Sequence, residues 1–119
     1  MGVVSPRELL LEYLYDVGRV EAHKLMTDLS KICWIFGEKG IHAPIDFSSF
    51  GKYPESGVLE EALWGLQTGG AIEEHKGSVT YSLTERGKKL TEKYRERRTE
   101  DEIRTWEVVN ASMKNVLGH

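Results

Sequence analysis

Residues 71–90 read AIEEHKGSVTYSLTERGKKL, and this stretch decides the fold. Ala71, Ile72 and Glu73 make a short strand. His75, Lys76, Gly77 and Ser78 supply turn residues, and Val79, Tyr81 and Leu83 then alternate with Ser78, Thr80 and Ser82, which is the period of a half-buried strand. The stretch predicts a two-stranded hairpin with a basic tip. Thr84 is placed to cap a following helix, whose apolar side continues through Leu90 and Tyr94.

Upstream of the hairpin, Leu59, Ala62, Leu63 and Leu66 repeat at helical spacing from a start near Glu55 or Ser56, and Gly69-Gly70 stop the helix. The glycine pair is a stop and turn, because phosphate loops precede helices rather than follow them. Glu60, Glu61, Trp64 and Gln67 fall on the other faces of this third helix. A second helix is predicted from about Glu21 to Phe36, with Leu25, Leu29, Ile32, Cys33 and Phe36 on one stripe and Gly37 and Gly40 closing it. The first covers 5–17. Ser5 caps it, Pro6 needs no hydrogen-bond partner there, and Glu8 has capping-box spacing. Its stripe is Leu10, Tyr13, Leu14 and Val17, and Gly18 ends it.

Between the second and third helices lies IHAPIDFSSFGKYP, residues 41–54, where the pattern weakens. Ile45, Phe47 and Ser49 alternate, which allows a short strand. A connection this long is expected to be packed or functional.

Downstream, the chain changes character at Arg98. Thr99-Glu100-Asp101-Glu102 is a second capping-box spelling. Ile103, Trp106, Asn110, Met113 and Leu117 then recur three and four apart, widened by Val109 and Val116. This stripe predicts a homodimer seam, with Asn110 as the polar residue that sets register. Its alternative is a helix folded back over the first, covering Leu9 and Leu11.

The order is helix, helix, helix, hairpin, long helix. It predicts a mainly α chain with a small β-hairpin (α+β), specifically a winged helix-turn-helix with an added C-terminal helix. Residues 1–98 would form the winged-helix domain and 99–119 a dimerisation element.

Local residues carry a resemblance as well. A helix ending in glycine, an I-E-E strand, a short turn and Y-S-L-T-E-R-G-K-K-L resemble the wing of many prokaryotic transcriptional regulators, with Tyr81, Leu83, Thr84 and Gly87 in the matching places. In those proteins the tyrosine or leucine packs under the third helix. Residues 8–83 are similar to the YwgA-like winged-helix proteins, through Lys24-Leu25 and through Phe50-Gly51-Lys52-Tyr53-Pro54-Glu55-Ser56 leading into the third helix. Here the proline is displaced and the first aromatic differs. The resemblance implies a DNA-binding fold.

Charge refines that expectation. The net charge of −3 divides into −5 over 1–83, +4 over 84–98 and −2 over 99–119. An acidic chain can still hold nucleic acid if its cations gather on one face, although EKYRERR also fits a solvated helix face. An ordinary helix-turn-helix separates its two helices by three or four residues; here about eighteen intervene. Glu60 and Glu61 would repel phosphate, and only Gln67 could read a base. Binding to double-stranded DNA is therefore expected to rest on Lys52, Tyr53 and Ser56, and on His75, Lys76, Arg86 and Lys89 around the wing.

The chain has one cysteine, Cys33, which excludes an internal disulfide framework and reads as a small core residue. The opening MGVVSPRELLLEYL is too short an apolar run for a membrane span and lacks the basic start of a signal peptide. A cytoplasmic protein follows. His42 and Asp46 lack a second metal-ligand pair, and no phosphate loop, zinc spacing or nucleophile elbow occurs. The expectation is a transcriptional regulator that is not an enzyme and needs no cofactor or metal. A winged-helix module for protein contact, using the acidic third helix and Trp64, is the alternative.

Overall fold

The computed structural model describes residues 2–48 and 51–118. Ser49 and Phe50, which entered the expected strand and the YwgA-like segment, lie outside the described residues. The described elements are α1 (Pro6–Val17), β1 (Arg19–Glu21), α2 (Ala22–Glu38), α3 (Gly57–Thr68), β2 (Ile72–His75), β3 (Thr80–Leu83), α4 (Glu85–Glu96) and α5 (Glu100–Leu117). They make a mainly helical α+β fold with one small antiparallel sheet, ordered β1-β3-β2.

Capping sets the helix starts. The hydroxyls of Ser5, Ser56, Thr84 and Thr99 accept the N–H groups of Glu8, Leu59, Gly87 and Glu102 at 3.1–3.2 Å. Each satisfies a donor that the first turn would leave open. Glu102 answers in kind, accepting the Thr99 N–H at 3.1 Å, so α5 is a new helix and not a continuation of α4.

α1 is the central element. Leu9, Leu10, Leu11, Glu12, Tyr13 and Leu14 are all buried, a run too continuous for a single stripe. The helix is covered by α3, α4 and the sheet together. β1 was not anticipated. Gly18, at φ +81°, turns the chain out of α1, and Arg19, Val20 and Glu21 pair with Ser82, Tyr81 and Thr80. In the hairpin the expected turn is displaced by one residue. His75 belongs to β2, opposite Thr80, and Val79 enters the turn with φ +49°.

The connection before α3 forms no regular strand among its described residues. It is pinned instead by two isolated bridges, Val3 with His42 and Ser48 with Glu55, and buries Ile41 and Ile45. The end of the second helix also shifts, since Gly37 lies within α2 and Gly40, at φ +75°, turns the chain afterwards.

The C-terminal stripe is spent inside the chain. α5 packs along α2, where Trp106, Val109 and Met113 are buried, and Val116 and Leu117 are partly buried against the same core. Asn110 is exposed and Ile103 is 45% exposed. Within the chain it is mainly α2, which sequence periodicity did not name, that covers the large apolar side chains of the expected seam. No helix among the described residues is long and apolar enough to cross a membrane.

Candidate nucleic-acid interface

Seven side chains were expected to face an anionic backbone, and the fold divides them into groups. Lys52 and Tyr53 close the connection before α3. The Tyr53 ring stacks on His23 of α2, with centroids 4.2 Å apart and planes 18° from parallel. Lys52 Nζ lies 5.7 Å from the centre of the same ring, within cation–π reach. Beside His23, the Ala22 N–H donates to the Val79 carbonyl at 3.2 Å, which fastens the hairpin tip to this end of α2. Lys76 stands exposed in that tip. Arg19 braces the hairpin from β1, donating through Nε to Thr80 Oγ1 at 2.8 Å and through Nη2 to Ser78 Oγ at 3.2 Å. Lys52, Tyr53, His23 and the hairpin tip thus form one continuous local surface.

Ser56 and His75 serve the fold instead. Ser56 is 2% exposed, and its hydroxyl is occupied by the Leu59 N–H, so a phosphate has no route to it. His75 is half-buried, shares a 2.8 Å hydrogen bond through Nε2 with Ser82 Oγ, and lies 3.5 Å from the Glu73 carboxylate. Both side chains hold local structure.

Arg86 and Lys89 belong to a third place. With Lys93 they fall at i, i+3 and i+7 on α4, and they line a cavity of about 630 Å³ between α3 and α4, together with Arg7 of α1. Sequence reading missed Arg7, Lys93, Arg19 and His23. Lys93 was legible as the next turn of the Arg86–Lys89 stripe, whereas only the fold brings Arg7 to it.

Two further cations of the basic segment, Arg95 and Arg98, pair with carboxylates of α1, while Lys88 and Arg97 are exposed. Arg95 grips Glu12 in bidentate fashion, Nε to Oε2 at 3.0 Å and Nη2 to Oε1 at 2.7 Å. Arg98 Nη2 reaches Glu12 at 2.8 Å and Glu8 at 3.3 Å, while its guanidinium lies 4.0 Å over the Trp106 ring. Glu12 is 3% exposed, and a charge so placed persists only with partners of this quality. Burial pushes the Glu8 carboxyl up from its ordinary value, against the opposing pull of Arg98. Part of the local positive charge therefore neutralises buried carboxylates, and the remainder is available outside.

The outward face of α3 carries Glu60, Glu61 and Trp64, the last 67% exposed. Cys33 is half-buried, and burial pushes its thiol up to about 12, so it is protonated at neutral pH and a poor nucleophile. Among the described residues no three acidic, histidine or cysteine side chains gather as a metal site. No family model, curated protein or solved structure matches this chain.

Proposed function

We propose that the chain is a winged-helix DNA-binding protein of the transcriptional-regulator kind, which grips the duplex mainly through its phosphates. The order α1-β1-α2-α3-β2-β3, with β1 completing the sheet beside the hairpin, supports the winged-helix reading. The observation that carries the functional reading is the joined surface of Lys52, Tyr53, His23 and the wing tip at the start of α2. Of the acids near it in the sequence, Glu21 is turned onto the His23 N–H as a helix cap at 3.0 Å and Glu74 accepts the Tyr81 hydroxyl at 3.0 Å, while Glu55 stands exposed three residues after Lys52. Cations and an aromatic on such a surface suit backbone contact, which positions a duplex without reading its sequence.

Glu60 and Glu61 argue against seating α3 head-on in the major groove. They favour a second reading, protein contact through α3, where Trp64 is the exposed anchor. Fluorescence anisotropy with duplex DNA across a salt series separates the two. The double variant Lys52→Ala, Lys76→Ala is expected to weaken binding to every duplex alike, and to lower the salt slope by about 1 for each phosphate that is no longer neutralised. Unchanged affinity and slope would leave the protein-contact reading, in which Trp64→Ala abolishes partner binding.

A further inference from the structure

Arg7, Arg86, Lys89 and Lys93 converge on the groove between α3 and α4, and no carboxylate lines it among the described residues. Within that same set of residues none of the four makes an ion pair or side-chain hydrogen bond there, in contrast to the other α4 cations Lys88 and Arg95, which pair with Glu85 and Glu12. The groove also adjoins the C-terminal end of α3, where a helix carries about half a negative charge. Half a charge does not balance four cations. Moreover, the last α3 carbonyls are already used: Gly65, Leu66 and Gln67 accept the N–H groups of Gly69, Ala71 and Gly70 at 2.9–3.0 Å. The groove therefore retains a large unbalanced positive charge.

Its shape suits a ligand as much as its charge does. Gly65 and Gly69 leave this side of α3 bare, and a Cβ on Gly65 would stand 2.9 Å from Arg7 Nη2. The Arg7 guanidinium thus lies close over the bare Gly65, and a side chain there would make it shift. Leu66 and Leu90 supply an apolar floor.

We propose that this groove binds a small ligand bearing at least two phosphate groups, held by Arg7, Arg86, Lys89 and Lys93. Arginine presents planar paired donors that match phosphate oxygens, and lysine adds point charge. The site is separate from the wing surface, so it can carry an effector while the wing holds DNA.

Titration calorimetry with inorganic pyrophosphate, against sulfate at equal ionic strength, tests the proposal on the full chain. Saturable pyrophosphate binding is expected, weakened about tenfold or more in Arg86→Ala, Lys89→Ala. Gly65→Ala keeps every charge but displaces Arg7, and is expected to weaken pyrophosphate binding with the thermal midpoint little changed. Pyrophosphate heats no larger than those of sulfate, or equal affinity in the wild type and both variants, would overturn it. So would a duplex-DNA arm in which the Arg86/Lys89 variant loses DNA while pyrophosphate binding is unaffected, since the groove would then be part of the DNA surface.

Discussion

The Tyr13 hydroxyl donates to Asp28 Oδ2 at 2.6 Å, and Lys24 Nζ reaches the same oxygen at 2.8 Å. All this happens around a carboxylate that is 6% exposed. Burial, and then the Asp28 bond and charge, push the Tyr13 phenol well above its ordinary value of 10. The folded state therefore holds this proton more tightly than the unfolded chain does. Its contribution to stability is complete below pH 10 and is lost as pH rises beyond it, by about 1.4 kcal/mol per pH unit once the unfolded phenol ionises. Tyr13→Phe should cost about 1.5–3 kcal/mol at neutral pH, because Asp28 loses a buried hydrogen bond. It should also make the alkaline fall shallower. Urea titrations from pH 7 to 11 measure both effects, and an unchanged alkaline slope would show that Tyr13 is not responsible for it. Tyr13 was readable from the sequence as a core position, but its partner was not: Asp28 lies on another helix and breaks the apolar pattern there.

At the scale of elements, the helix starts were legible because Ser5, Thr84 and Thr99 are local signals that act within four residues. β1 was not legible. A three-residue strand with one buried side chain, Val20, has no period to detect, and it exists only because β3 offers an edge. The continuous burial of α1 misled in a different way, since stripe reading assumes one covered face. Gly87 was noted only through a resemblance, and the fold supplies its physical reason. A Cβ there would collide with the Ala71 carbonyl and approach Leu83 Cδ2 to 3.1 Å. Gly87→Ala is thus expected to destabilise by about 1–3 kcal/mol through overpacking, even though alanine is the better helix former by about 1 kcal/mol. Gly37 provides the control. It also sits within a helix, has nothing within 4 Å of its absent Cβ, and Gly37→Ala should stabilise by up to about 1 kcal/mol. Thermal melts of the two single variants check the opposed signs. Shifts in the same direction would refute the steric explanation.

For the whole molecule, the question is where the apolar stripe of α5 is satisfied. Sequence periodicity correctly marked Trp106, Val109 and Met113 as side chains that need cover, but periodicity names a face and never its partner. The partner is α2, and the basic segment contributes as well, because Arg98 between α4 and α5 joins Glu8 and Glu12 of α1 to the Trp106 ring. The candidate groove has the same history. Arg86, Lys89 and Lys93 share a visible stripe, whereas Arg7 reaches them only through the packing of α1 against α3 and α4. Trp106 is 4% exposed, so Trp106→Ala leaves a cavity and removes the cover from Arg98, with an expected loss of about 3–5 kcal/mol. Folded domains hold only about 5–15 kcal/mol in total, so the variant should melt far lower and expose α2. Light scattering should give the same mass for the wild type and for the variant below its melting temperature, because this tryptophan works within one chain. A variant that keeps its stability but falls to half the wild-type mass would return the stripe to an interface between two copies.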